Sequence, residues 1–433
     1  MRRRTGHMGD RSVSFVICSC NRRPELAGVL RRLRDLPLEN LGREVLVVDN
    51  ASSDGTAKMV RSDFPHVKLF ARPTNGGPVA RNVAARLASG DFLVFLDDDS
   101  WPEPGSIEAM VRHFDAEPSL GAATFTVTLP DGTQECSAFP GVFIGCGTGF
   151  RRAALRDAGL LPDDFFMQAE EYDLSLRLLR AGWRVAAFDD LHVTHLKTPR
   201  SRLPGRTLRL DVRNNAVLCA RYFAGQEGVP VGLDWLRRYW WIATAQRRRV
   251  SFLAGLGAAA VRVVTETHQH ALPPSQARRF FWTDAIEAGF AALAEAGHRR
   301  VLLIDLGKNV RTYVLAAHKA GLSIAAIADA RLHAPGRTYK GVPVVADADA
   351  LALSFDVAVI SNTSRVHAAL RLKQWRRVCP RPVVDVLAPS AEPAVANAAV
   401  NGPAAVSPAA AGPAGAAESE FRRTAARNDA RAA

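Results

Sequence analysis

From Val13 onward the chain alternates short apolar runs with amphipathic stretches, and this alternation constrains the fold more than any other feature of the sequence. SFVIC (14–18), EVLVV (44–48), VKLF (67–70) and FLVFL (92–96) are near-continuous apolar runs of four or five residues. Runs of that length, bounded by turn residues, read as strands buried on both faces. Between the first two, Pro24 opens a stretch in which Leu26, Val29, Leu30 and Leu33 recur at helical spacing. The Ser52–Thr56 turn caps a second helix running to Phe64, and Asn75-Gly76-Gly77-Pro78 leads into a third carrying Arg81 and Asn82. Strands separated by short helices require a mainly parallel sheet with both faces covered, so an α/β fold is expected.

The fourth strand ends in three consecutive carboxylates, Asp97, Asp98 and Asp99. Ligands of open α/β sheets gather at the carboxyl ends of the strands. Three adjacent acids repel one another by several kcal/mol unless cations or partners relieve them. A hard divalent cation bridging to a phosphate is the expected relief, against the plainer reading of a solvated acidic turn. Asp49 closes the second strand in the same way, and Ser19-Cys20-Asn21 closes the first.

Taken in order, SFVICSCNRRPEL, VVDNASSDGT, NGGPVARNVAA and DFLVFLDDDS resemble glycosyltransferase family 2, the inverting enzymes of the GT-A fold. The resemblance implies that Ser19, Cys20, Asn21 and Asp49 grip the nucleotide base and that Arg81 lies near the donor. Asp97, Asp98 and Asp99 stand where the family's DxD holds ribose and metal-diphosphate, with the metal, Mn or Mg, on Asp99 and Asp97. Cys20 stands where the family often has an aromatic residue.

Further along, FIGCGTGF (143–150) reads as either a close approach of backbone to substrate or a tight turn beneath the sheet. In FFMQAEEYDLSLRLLRAGWR a helix is expected from Glu170, with both glutamates in its first turn, where acids are favoured electrostatically. By resemblance Glu171 is the catalytic base and Asp173 the acid that anchors the helix. His195, after a strand-like Val193-Thr194, matches a histidine that completes the metal site, and His192 matches it less well. Arg213-Asn214-Asn215 is expected to open a helix through Tyr222.

The 433 residues carry a net charge of +13, which favours anionic partners. No basic run is interleaved with aromatics as a single-strand platform would be, so nucleic acid is not expected. The six cysteines show neither CxxC nor zinc spacing and fit reduced thiols in the cytoplasm. The basic start has no apolar region behind it, so no secretory signal is expected. Trp235, Trp240 and Trp241 interleave with Arg237, Arg238 and Arg247–Arg249, then Val250–Val264 follows. This stretch reads either as a helical hairpin packed on the catalytic domain or as a peripheral contact with the inner face of the membrane.

Past a Pro273-Pro274 linker, Arg300–Ile304, Asp305-Leu306-Gly307-Lys308-Asn309, a helix to Ala320, Ser323–Ala328 and Asp329 predict a second, smaller Rossmann-like domain. Only Gly307 stands where a dinucleotide fingerprint needs three glycines, so the domain reads as a binding or assembly module. The expected organisation is a basic tail at 1–11, a GT-A nucleotide-diphospho-sugar transferase domain at 12–225, a helical segment at 226–274, the Rossmann-like domain at 275–389 and a disordered Ala/Pro-rich tail at 390–433. The resemblance is nearest to rhamnosyltransferase-like members, which implies a nucleotide-diphospho-sugar donor and a glycan or lipid-linked acceptor in surface polysaccharide or glycolipid synthesis. The competing reading is a non-catalytic nucleotide-sugar-binding or scaffold protein; a binder has no need of the base at Glu171.

Overall fold

The computed structural model describes residues 11–198, 203–223, 228–266 and 270–388. The expected tails lie outside them, apart from Arg11, which starts the first strand. The chain divides into two compact units that meet at Phe280/Phe281.

The first unit opens with β1 (Arg11–Ser19), α1 (Arg23–Asp35), β2 (Leu41–Asn50), α2 (Thr56–Asp63), β3 (Lys68–Arg72), α3 (Arg81–Leu87) and β4 (Phe92–Asp97). It continues through β5 (Ser100–Pro102), α4 (Ser106–Ala116), β6 (Leu120–Thr128), β7 (Gln134–Glu135), β8 (Thr148–Arg151), α5 (Arg152–Ala158), α6 (Glu170–Arg180) and β9 (Arg184–His195). The sheet order is β3-β2-β1-β4-β8-β6-β9-β5, with β7 paired to β6. Strands β1 to β4 are mutually parallel, as the alternation requires. The sheet becomes mixed at β8, which runs antiparallel to both β4 and β6. Two reversals restore the direction, so β6 and its parallel partner β9 point the same way as β4. The C-terminal ends of β1, β2, β4 and β9 therefore share one rim, where Ser19 pairs with Asp49 and Cys18 with Asp97.

Apolar residues of the strands feed a core on each face. Phe15, Val47, Val94 and Phe125 meet α1, α2 and α4 on one side, and Val16, Leu46, Phe95 and Phe150 meet α3, α5 and α6 on the other. Burial on both faces is why these strands read as unbroken apolar runs.

Helices α7 (Pro204–Tyr222), α8 (Gly228–Ala245), α9 (Arg249–Thr265) and α10 (Pro274–Phe280) complete this unit. The helix expected to open at Arg213 begins at Pro204, with proline in its first turn, so Arg213, Asn214 and Asn215 lie in its middle. The expected Pro273-Pro274 linker is also corrected, because Pro274 begins α10. That helix brings Phe280 to stack on Phe139 with ring centroids 4.8 Å apart.

The second unit contains α11 (Thr283–Glu295), β10 (Arg300–Ile304), α12 (Val310–Lys319), β11 (Ser323–Ala328), β12 (Thr338–Tyr339), β13 (Val342–Val345), α13 (Asp347–Leu351), β14 (Val357–Ile360), α14 (Arg365–Val378) and β15 (Val383–Val384). Its sheet order is β12-β13-β11-β10-β14-β15, parallel except for β12. Gly307 sits where the loops after β10 and β14 touch: a Cβ there would lie 2.7 Å from the Ser361 carbonyl oxygen. Loop packing thus accounts for this glycine without a bound phosphate.

Candidate active site

Three of the four converging strand ends carry the acids and the histidine of the rim. Asp49 is the last residue but one of β2, Asp97 closes β4, and His195 closes β9. The short β5 pairs antiparallel with β9, setting Ser100 opposite His195 and drawing the acidic turn toward the imidazole. Register alone therefore brings together residues almost a hundred positions apart.

Each acid of the turn meets a cationic side chain of the protein. Arg22 Nη1 lies 2.9 Å from Asp98, and its Nη2 donates to Asp99 at 2.7 Å. Arg81, which is 3% exposed, donates to the Leu96 carbonyl at 3.0 Å and to Asp97. His195 Nε2 lies 3.3 Å from Asp99 Oδ1 and 3.7 Å from Asp97 Oδ2. These arrangements set the acids apart electrostatically. Burial pushes Asp98 up to about 7 despite Arg22. Burial also works against ionised Asp99, but His195 and the Thr198 N–H, which donates at 2.9 Å, hold its carboxyl well below the usual range. Burial alone would lower His195, yet its contacts with Asp99, Cys146 and Glu135 push it up to about 12.

The donor set suits a divalent cation. Asp97, Cys146 and His195 each offer one ligand atom, and these lie within 4.8 Å of one another. Asp99 Oδ1 is buried and faces only the His195 Nε2, 3.3 Å away, so a carboxylate oxygen and an imidazole nitrogen stand together where a cation would be shared. Glu135 Oε2 lies 3.0 Å from His195 Nδ1, a contact that leaves Nε2 to face the acids. Cys146 and Glu135 were not picked out from the sequence. Cys146 lies within FIGCGTGF, where the glycines drew attention, and Glu135 stands on the two-residue strand β7, which carries no periodic signal.

At the expected base-binding end, Asp49 is buried and accepts from the Ser52 N–H at 3.2 Å. Asn21 Oδ1 accepts from the Ser53 N–H at 2.7 Å, so the loops after β1 and β2 are stitched together. Cys20 Sγ lies 3.3 Å from Asn75 Nδ2, and burial followed by the nearby Asp49 raises the thiol. Ser19 is buried at the same rim.

Glu170 and Glu171 begin α6 as expected, delivered by a strained approach. Phe166, Gln168 and Ala169 all have left-handed φ, at +62°, +71° and +65°. Such conformations cost about 1–3 kcal/mol per non-glycine residue and persist only where surroundings impose them. Asn214 imposes them here. Its buried amide nitrogen donates to the carbonyls of Phe165, Met167 and Gln168 at 3.1, 2.8 and 2.6 Å, while Arg213 donates to Asp164 O at 2.6 Å. Asp173 accepts from Arg177 Nε, Arg221 Nη1 and the Tyr222 hydroxyl, each at 2.8 Å, tying α6 to α7. The Glu171 carboxylate faces Gly145, where a Cβ would lie 3.4 Å from its Oε1. Burial raises both glutamates, and Glu170 is raised further by Glu171 beside it. Arg81 acts on both from one side and binds Asp97 on the other, linking the two acidic groups.

Residues 14–138 match the family described as glycosyl transferase family 2. Over that span the chain is similar to family 2 glycosyltransferases. An uncharacterized glycosyltransferase of Haemophilus influenzae is 30% identical over 108 residues, covering 25% of this chain and 36% of that protein. The chain thus spans little more than a third of that relative. The N-acetylglucosaminyl-diphospho-decaprenol L-rhamnosyltransferase of Mycobacterium tuberculosis is 26% identical over 245 residues, covering 45% of this chain and 79% of its own. Among solved structures, the mannosyltransferase PcManGT of Pyrobaculum calidifontis, in complex with GDP-Man and Mn2+, aligns with a TM-score of 0.41 at 22% identity, over 72% of this chain and 86% of that one.

Proposed function

We propose that this chain is an inverting glycosyltransferase that moves a sugar from a nucleotide-diphospho-sugar to a hydroxyl acceptor, with Glu171 as general base. The observation that carries this reading is Arg81, whose guanidinium binds Asp97 of the cation-competent cluster and, with Glu171 Oε1, flanks Gly145, where a Cβ would lie 3.9 Å from its Nη1 and 3.4 Å from that oxygen. Such a bridge fixes the distance between a diphosphate and a base, as an in-line displacement needs. Ser19, Cys20, Asn21 and Asp49 would line the base and ribose end of the donor, and Asp97 and Asp98 its sugar-diphosphate end.

Asp97, Asp99 and His195 would hold the divalent cation, with Cys146 beside them. When bound, a cation there supplies charge neutralisation to the departing diphosphate. Glu171 would accept the acceptor's hydroxyl proton as that oxygen bonds to the anomeric carbon. The bond from that carbon to the phosphate oxygen breaks with its electron pair leaving on the nucleoside diphosphate, so configuration inverts. Burial keeps the Glu171 carboxyl above its ordinary range, which makes it a stronger base once ionised. Similarity to the Mycobacterium protein, an N-acetylglucosaminyl-diphospho-decaprenol L-rhamnosyltransferase, supports a lipid-linked acceptor.

The test pairs two variants. Glu171→Gln should lower transfer by about 10² to 10⁴ while leaving donor binding intact, since it removes only proton transfer. Asp97→Asn should weaken manganese-dependent donor binding. Near-normal turnover by the Gln variant would remove Glu171 from the mechanism. If no nucleotide-sugar binds wild type with either manganese or magnesium, the non-catalytic scaffold reading takes precedence.

A further inference from the structure

Helix α9 is apolar nearly all round, yet only one of its faces is covered. Phe252, Gly255 and Ala259 are buried, and Gly255 packs on Val212 and the Arg209 carbonyl of α7. The opposite stripe, at the i, i+3, i+11, i+14 positions Val250, Leu253, Val261 and Val264, is bare, with Val250 81% and Val264 86% exposed. Leu233 and Trp240 stand out from α8 in the same way. Eight of the fourteen large apolar side chains exposed among the described residues lie on these two helices. A concentration of this kind marks a surface that meets something else.

Charge identifies the partner. Between residues 228 and 266 there are six arginines and two acids. Asp234 is buried, and Glu266 is engaged by Arg221, so neither acid is presented outward. Arg237 and Arg247–Arg249 are exposed beside the apolar stripe, and the Arg249 guanidinium lies 5.6 Å from the Trp240 ring centre. A second copy of the chain would bring these arginines against one another. An anionic bilayer satisfies both parts of the surface: the apolar stripe enters the acyl boundary while the arginines and the indole remain at headgroup depth. Among the described residues no helix is long and apolar enough to cross a membrane, so the contact lies in the plane of the surface.

We infer that the outward face of the α8–α9 hairpin docks on an anionic lipid bilayer. The inference stands apart from the transferase reading, because it is tested without any sugar. The full chain is sedimented with vesicles of phosphatidylcholine alone and of phosphatidylcholine mixed with phosphatidylglycerol. Binding to the mixed vesicles is expected. It should fall at least about tenfold in the combined Val250→Glu, Leu253→Glu, Val261→Glu variant, with an unchanged circular dichroism spectrum. Replacing Arg247, Arg248 and Arg249 by Gln, which leaves the apolar stripe intact, should weaken binding to mixed vesicles and abolish its salt dependence. Failure to bind mixed vesicles, or equal binding by the Glu variant, would overturn the inference. So would a solution dimer that the Glu substitutions dissociate, since a second copy would then cover this face.

Discussion

Both units of this chain place acids at the ends of parallel strands beside an arginine, yet the two rims are built differently. In the second unit, Asp329 accepts from the N–H groups of Leu306, Arg331 and Leu332 at 2.7–2.9 Å. Arg371 spans Asp305 and Asp347 at 2.7 and 2.8 Å, and Asn362 reaches the second oxygen of Asp305. These contacts hold loops together, although one oxygen of Asp347 is buried without a hydrogen bond. In the first unit the Asp97 side chain remains 37% exposed, and His195 turns Nε2 toward both Asp97 and Asp99. Position at a strand end is thus shared by a clasp and a candidate site, and what separates them is the partly exposed Asp97 carboxylate with an imidazole turned toward it.

The contrast can be broken most severely at the clasp. Arg371→Ala strands the buried Asp347 and the half-buried Asp305 and should cost about 3–5 kcal/mol in the second unit, read as a lower denaturation midpoint. Manganese should not restore it. Arg22→Ala removes the partner of Asp98 and Asp99 and should cost about 2–4 kcal/mol, but here manganese should recover much of the loss, because a cation can replace the guanidinium. Equal rescue of both variants, or of neither, would show that the two rims do not differ as described. The smallest effect concerns Glu170, which is buried, has an oxygen without a hydrogen-bond partner and is raised well above the ordinary glutamate range by burial and by Glu171. Because its folded value exceeds the unfolded one, its contribution is fully present below the unfolded value and is lost as pH rises through the folded value. Glu170→Gln should therefore raise the thermal midpoint by about 2–4 °C near pH 8 and change it little near pH 4. A midpoint shift that is the same at both pH values would contradict the buried, raised carboxyl.

The part of the fold most readable in advance was the parallel half, since SFVIC, EVLVV and FLVFL are buried on both faces and their apolar runs report it directly. The β8–β6–β9 half was less readable. Its partners are antiparallel and distant in sequence, and nothing local in TGFR or in the β9 segment records which strand lies between which. At the site, the three aspartates stood out because carboxylates cluster there, whereas Glu171 was singled out by the family resemblance. Arg22 was not singled out from the sequence, and the relief assigned to a cation is shared with the protein's own arginines. Asn214 was misplaced at a helix start because its work, bonding three carbonyls of a loop almost fifty residues away, leaves no periodic trace.

The strap from Asn214 to the loop before Glu170 also bears on how the domain can be cut or recombined. The span that matches the family ends at residue 138, before Glu171, His195 and Asn214. A fragment trimmed to that span would keep every motif of the donor rim and discard the proposed base, the histidine and the residue that holds the loop in its left-handed turns. Grafts between related chains should therefore be joined at Phe280/Phe281, where the two units meet, with α7 inherited together with the loop it restrains.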